Sequence, residues 1–317
     1  MAAFAASAIL ISPASAATQA VFVTLGTGGG PVTRLVRSEP ANALVVGDSV
    51  YLFDAGDGVQ RRLLQAGLPL KRLRAVFISH HHIDHTGGVA PLIVTRWVLN
   101  DEKPLPIIGP PGTVAFVRDI VAAYHVTELA PIAEGGPSAP PLANSVLPRD
   151  MPADPPRNAL VYQDENIRVF ATTNDHYHFA PGSAEQEASR SYAFRIEAAG
   201  RTIVFTGDTG PSANVDRLAK GADLLVSEVI DLDSIVAMLR TAGLPQSVLD
   251  ARIAHMRQDH MTPRDVGRLA ADAGVKELVL THLVPGRDGE TSDAAYTKGI
   301  ANLYGGPVHV ARDGDRF

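Results

Sequence analysis

Four cation-binding side chains lie within one short stretch, spaced His80-x-His82-x-Asp84-His85, directly after the apolar run Ala75-Val76-Phe77-Ile78. An apolar run of this kind reads as a buried strand, so the sheet has to deliver its end to a metal site. Imidazole nitrogen and carboxylate oxygen suit zinc or a similar first-row ion. Side chains alternate faces along an extended segment, so His80 and His82 can grip one ion together. Asp84 and His85 lie past the strand end, where Gly87 and Gly88 allow a tight turn, and can face a second ion. His81 points the other way and reads as a supporting or packing histidine.

The chain holds no cysteine, which excludes thiolate-bound zinc, disulfides and Cys nucleophiles together and leaves His, Asp and Glu for metal chemistry. Its 317 residues, 45 % hydrophobic and 20 % charged, suffice for one large or two small domains. A net charge of −6 with no block of Lys or Arg should repel a polyanion, so nucleic acid is a disfavoured partner.

Residues 1–17 read MAAFAASAILISPASAA and contain Ala14-Ser15-Ala16, an A-x-A cleavage pattern. They are expected to be a signal peptide of a periplasmic or secreted protein, with a disordered cytoplasmic tail as the alternative. The apolar core from Ala2 to Ile11 is too short for the roughly 20 residues of a membrane span, so no stable membrane insertion is expected.

Residues 18–317 read as a single domain built around this metal site. Ala20 to Gly26 is a strand signal running into Gly28-Gly29-Gly30-Pro31, which is turn chemistry. Ala43 to Phe53 reads as a hairpin around Gly47-Asp48-Ser49, and Val59 to Ala66 as a helix stopped by Gly67. Helix is expected again over Val89 to Val98. The stretch 131–156 holds eight of the 23 prolines, which predicts an irregular loop. A strand is expected over Asn166 to Thr173, and a hairpin from Tyr192–Glu197 and Arg201–Thr206. Asp223 to Val229 reads as a buried strand. Residues 231–259 read as a helical insertion, interrupted near Gly243-Pro245, that serves as a lid, a dimer contact or an ordinary outer helix. Pro263 to Ala273 is a helix stopped by Gly274, and Glu277 to Thr281 a last strand closed by His282. This alternation predicts an α/β fold of two halves stacked through their sheets with helices outside. A doubly wound nucleotide-binding sheet competes, but Leu25 to Gly30 lacks the G-x-G-x-x-G form and runs into Pro31 rather than a helix.

Further ligands stand at strand ends: His176 after Ile167 to Thr172, Asp208 in Thr206-Gly207-Asp208-Thr209-Gly210, and His282 after Leu278 to Thr281. Strand ends are where side chains of an open α/β sheet converge on one crevice. His178 shares the alternating face of His176 and is the alternative there.

From about Val21 to the C-terminus the chain resembles the metallo-β-lactamase superfamily, within it the ribonuclease Z and arylsulfatase-like branch. The resemblance rests on His80-x-His82-x-Asp84-His85 and on His176, Asp208 and His282 in that order. Phe53-Asp54-Ala55-Gly56-Asp57-Gly58-Val59-Gln60 resembles the branch's D-C-G-E-G-T-Q segment, with Ala55 where cysteine is common. Ser227-Glu228-Val229 resembles its H-E-A segment and His260-Met261-Thr262 its H-S-T segment. The resemblance implies an αββα sandwich of two mixed sheets. It also implies that His80, His82 and His176 hold one divalent ion and that Asp84, His85 and His282 hold the other. Asp208 would bridge the two. Zinc is expected, with manganese or iron as alternatives.

Two such cations lower the pKa of a bridging water, polarise the substrate and stabilise charge on attacking and leaving oxygens, so a metal-bridging hydroxide is the expected nucleophile. Asp84 is then ligand and proton acceptor, Asp54 orients a ligand histidine, and His260, oriented by Glu228, serves the leaving group. The reading that follows is a dinuclear hydrolase of small-molecule esters: phosphodiesters, sulfate esters or related esters. The alternatives are a tRNA 3′-end processing ribonuclease and a β-lactamase or lactonase. A dead-site binding protein is disfavoured by the complete ligand set, and a homodimer is expected from the resemblance alone.

Overall fold

The computed structural model describes residues 19–99, 103–130, 140–156 and 158–317. The leader expected over residues 1–17 lies outside them. Two sheets form the centre. The first runs β1 (Ala20–Gly26), β2 (Ala41–Val46), β3 (Ser49–Ala55), β4 (Leu73–Phe77), β5 (Leu105–Gly109) and β6 (Val146–Asp150), neighbours in that order. The second holds β7 (Ala159–Gln163), β8 (Ile167–Thr173), β9 (Tyr192–Ala198), β10 (Arg201–Phe205), β11 (Leu224–Ile230), β12 (Glu277–Val284) and β13 (Val308–Val310). Each sheet is mixed. Antiparallel pairing joins β1 through β3 and β7 through β10, and parallel pairing continues from there in both halves.

The helices are α1 (Val59–Gln65), α2 (Ile83–Thr86), α3 (Val89–Val98), α4 (Thr113–Ala123), α5 (His125–Glu128), α6 (Ala184–Ala188), α7 (Ala213–Leu218), α8 (Leu232–Thr241), α9 (Gln246–Asp259), α10 (Pro263–Ala273) and α11 (Ala294–Thr297). None is long and apolar enough to cross a membrane.

Period-two alternation sorts the strands into layers. Phe22, Tyr51, Phe53 and Phe77 of the first sheet meet Phe194, Ile203 and Phe205 of the second in the inter-sheet core. Their in-between neighbours Val23, Leu52 and Val76 face outward onto α1, α3 and α4. Val204, Leu278 and Leu280 likewise face α7 and α10. The result is the expected αββα sandwich. Phe53 stacks on Phe77 at 4.8 Å between centroids and meets Phe194 edge-on at 5.8 Å across the sheets. Each fully buried ring of this kind stabilises the fold by about 1.5–3 kcal/mol relative to exposure.

Local chemistry sets the element ends. Thr262 caps α10 through a capping box with Asp265, Pro263 opens the helix, and Gly274 closes it in the left-handed conformation.

Three expectations change. The first concerns the ligand segment. β4 ends at Phe77, so His80 and His82 sit on a loop rather than on an alternating extended segment, while Asp84 and His85, expected past the strand end, lie there on the single turn of α2. The second concerns β12, which does not close before His282 but continues to Val284 through a bulge. Glu228 pairs with Thr281 and Val229 with Leu283, leaving His282 unpaired at φ 45°. The third concerns the proline-rich stretch 131–156, which is not irregular throughout. β6 forms inside it as an edge strand, where Pro148 is tolerated because one side of the ladder is free. Residues 131–139 lie outside the described set.

Candidate metal centre

The donor segments meet at one edge of the two sheets. His80 Nε2 lies 3.0 Å from His82 Nδ1, and His176 Nε2 lies 3.2 Å from the same nitrogen. His80, His82 and His176 thus present three nitrogens to one point. Asp84, His85, Asp208 and His282 form a second group, all four side chains buried. His85 Nε2 stands 3.4 Å from Asp208 Oδ1 and 3.5 Å from Asp84 Oδ2, and His282 Nε2 stands 3.0 Å from Asp208 Oδ2. Asp208 Oδ2 also comes within 4.0 Å of His80 Nε2, so this carboxylate spans both groups. All seven side chains singled out in the sequence converge here. His178, by contrast, is half-exposed and pairs with the Asp259 carboxylate.

Supporting contacts aim these groups. Ser79 Oγ lies 3.0 Å from His80 Nδ1, and the Asp259 carbonyl accepts from His176 Nδ1 at 2.9 Å. Asp54, held at φ 62°, reaches His85 Nδ1 at 2.8 Å. His81 faces away and meets Thr113 Oγ1 at 2.9 Å. Glu228 Oε2 lies 2.7 Å from His260 Nδ1, while its other oxygen accepts the Thr209 N–H at 2.6 Å. His260 stacks on His282 at 6.0 Å and stands near enough to His176 and Asp208 to form a further donor group with them.

Two glycines belong to the site although the sequence marked them only as turn residues. The Gly30 N–H donates to Asp84 Oδ2 at 2.9 Å, and a Cβ there would fall 2.1 Å from Asp84 Cβ. A Cβ on Gly29 would fall 2.8 Å from the His282 ring. The readable signal was a glycine triplet directly after a strand.

Charge in this cluster is strongly redistributed. Burial holds His80 well below the ordinary imidazole value and takes His176 down to about 3, leaving both neutral donors at pH 7. For His85 and His282 burial opposes the charge, but the Asp208 and Asp84 carboxylates outweigh it. His85 is lifted well above its ordinary value and His282 up to about 10. Burial likewise opposes ionisation of Asp84 and Asp208, and the imidazolium neighbours hold both below the usual carboxylate range. Burial pushes Glu228 up, and Glu228 in turn lifts His260 against burial.

Among the described residues, His85 Nε2, His282 Nε2 and Asp208 Oδ1 are buried without a well-formed hydrogen bond and have only ion-pair contacts within the cluster. Buried polar atoms are almost always partnered. Orphaned donors aimed at common points, made of imidazole and carboxylate, fit two divalent cations. Cation binding would replace the protons on His85 and His282.

A model of the Beta-lactamase superfamily domain matches residues 50–283. Ribonuclease Z of Mycolicibacterium paratuberculosis is 32 % identical over 272 residues, covering 83 % of this chain and 86 % of that protein. Ribonuclease Z of Mycobacterium bovis is 30 % identical over 294 residues, covering 92 % and 95 %. Among solved structures, human tRNase Z, short form, superposes with a TM-score of 0.63 at 23 % identity, covering 94 % of this chain and 98 % of that one.

These relatives overturn the expectation that nucleic acid is a disfavoured partner, since proteins matching most of the chain are named for a ribonuclease. A net charge of −6 averages over the whole surface and does not report the cleft beside the donor groups, which Arg34, Arg252 and Arg287 line together with Asp288. Sheet order, donor groups and sequence matches agree, and the chain belongs to the metallo-β-lactamase superfamily as a metal-dependent hydrolase of ester-type substrates.

Proposed function

We infer that this hydrolase is a phosphodiesterase acting on RNA, with His80, His82 and His176 holding one divalent cation, Asp84, His85 and His282 a second, and Asp208 shared between them. The observation that carries the two-cation reading is the position of Asp208 Oδ2, 3.0 Å from His282 Nε2 and 4.0 Å from His80 Nε2. The relatives named ribonuclease Z support RNA as the substrate.

Bound cations would supply Lewis acidity and lower the pKa of water at neutral pH. The chain's own groups do the rest. Asp84, its Oδ2 held by the Gly30 N–H, accepts a proton on the attacking side. Asp54 fixes the His85 tautomer so that Nε2 faces the centre. His260, backed by Glu228, delivers a proton to the leaving oxygen.

The test is hydrolysis by zinc- or manganese-loaded protein of a tRNA precursor transcript beside matched nitrophenyl phosphodiester, sulfate and carboxylic esters. Cleavage of the transcript and of the phosphodiester is expected. Turnover of the sulfate or carboxylic ester with the phosphorus substrates untouched would overturn the reading. His82→Ala is expected to lose metal and activity together, and His260→Ala to keep metal and lose turnover.

A further inference from the structure

The donor groups open onto a cleft of about 740 Å³ whose two sides differ in chemistry. One side is the His and Asp cluster. The other is built by the helical pair α8 and α9, with Ile235, Met238 and Leu239 from α8 and Met256 from α9. Ile235, Met238 and Leu239 recur at i, i+3 and i+4, so they form one helix face. Ile235 and Leu239 of that face join Val284 and Ile230 in a small apolar cluster separate from the main cores, with Met256 packed against it, while Met238 stays half-exposed at the cleft. The cluster seats the helical pair on the end of β12, directly beyond His282. The exposed guanidinium groups of Arg252 and Arg287 line the same cleft.

An anionic phosphoryl group gains nothing from an aliphatic wall and belongs with the cations and the arginines. Only a substituent carried on one of the ester oxygens can use that wall. Met238 and Met256 add a polarisable, unbranched surface that adapts to flat groups.

We propose that this wall is a subsite for a planar aromatic group attached to the scissile phosphate, with the phosphate's remaining charge facing Arg252 and Arg287. The proposal rests on the phosphodiesterase reading. A nucleobase and a simple aryl group share the required chemistry, namely a flat apolar face carried on an ester substituent, directly on the ester oxygen in an aryl phosphate and through the ribose in a nucleotide.

Calorimetric titration of the zinc-loaded full chain with methyl phosphate, phenyl phosphate and adenosine 5′-monophosphate tests this without turnover. Phenyl phosphate is expected to bind at least about tenfold tighter than methyl phosphate, the scale on which apolar pockets discriminate. Met238→Ala should narrow that ratio, and Met238→Leu, which restores apolar bulk, should keep it. Adenosine monophosphate matching phenyl phosphate identifies a nucleobase as the occupant. If it binds only as methyl phosphate does, the occupant is a small aryl group. Equal affinity for methyl and phenyl phosphate, binding of neither, or a ratio indifferent to Met238→Ala overturns the subsite. The two readings fail separately. Cleavage of the transcript without aromatic selectivity removes the subsite alone, and aromatic selectivity without phosphodiester cleavage removes the phosphodiesterase alone.

Discussion

The Asp54 carboxylate joins three groups: its Oδ2 lies 2.8 Å from His85 Nδ1 and accepts the Ser79 hydroxyl at 2.8 Å, and its Oδ1 accepts the Ser79 N–H at 2.7 Å. One fully buried side chain therefore both ties down the start of the ligand segment and fixes the ring at its end. Asp54→Asn keeps the shape and tolerates the positive φ, but replaces a carboxylate with an amide that turns a donor toward one of its partners. Metal affinity is expected to fall about 10- to 100-fold with the fold retained. Competition against a chelator of known affinity measures it, and wild-type affinity in the variant would remove Asp54 from any orienting role.

Gly30→Ala should be far more damaging than an exposed glycine change. The added methyl would lie 2.4 Å from Asp84 Cγ and Oδ2, so the carboxylate must move by an ångström or more. Misplacement on that scale lowers turnover by about 10²-fold, and metal content should fall from two ions toward one. Elemental analysis of the purified variant checks this. Two ions and full activity would show that Asp84 has freedom the packing denies.

Glu228→Gln should shift the pH dependence of turnover. Burial lowers His260, and the Glu228 carboxylate more than offsets it, so the folded ring titrates above its ordinary value. A proton donated by His260 is available below that folded value and lost as pH rises through it. Removing the carboxylate removes the lift, so the alkaline limb should move to lower pH with metal content unchanged. An unmoved limb would show that the proton comes from elsewhere.

Asp164 ties the two sheets together at the end away from the metal centre. It sits in the turn between β7 and β8, where Oδ2 accepts from Tyr51 of β3 at 2.6 Å and from Tyr162 at 3.0 Å. Oδ1 accepts the N–H groups of Asn166 and Ile167 at 2.8 and 3.0 Å. Burial raises its pKa, but these donors outweigh it and hold the group below the usual value. A depressed carboxylate stabilises above the unfolded pKa of about 4 and loses that contribution as pH falls through the folded value. Asp164→Asn should cost about 1 kcal/mol at pH 7, allowing for its partial exposure. The gap to wild type should close in acid. Denaturant midpoints at several pH values test it, and a constant gap would exclude the charged form as the cause.

Much of the fold was legible because its signals are local. The helix from Pro263 to Ala273 carries its capping residues and its stop glycine within a dozen positions. The hairpin of β9 and β10 turns at Ala199-Gly200, where the backbone takes positive φ. The short strands β5, β6, β7 and β13 were missed because each is defined by its partner more than by its own composition. β6, with Pro148 and three exposed residues, becomes a strand only through pairing with β5.

The candidate site divides the same way. His80, His82, Asp84 and His85 announce a metal by density alone. That Gly29 and Gly30 press against His282 and Asp84 became visible only when segments more than 50 residues apart met.

The sequence by itself determined the chemistry available: no thiol, seven imidazole and carboxylate donors at loop and strand ends, and a pattern of strands and helices that makes two layered sheets. Those properties depend on residue type and short-range spacing, which survive in one dimension. Tertiary structure alone decided that His176 rather than His178 joins the cluster, that Asp208 spans both donor groups, and that an aliphatic helical wall and three arginines share the cleft. Each is a matter of distance and burial between remote segments. Charge counted along a chain cannot report the field inside a cleft, because fields there depend on which few groups face inward and how little water screens them.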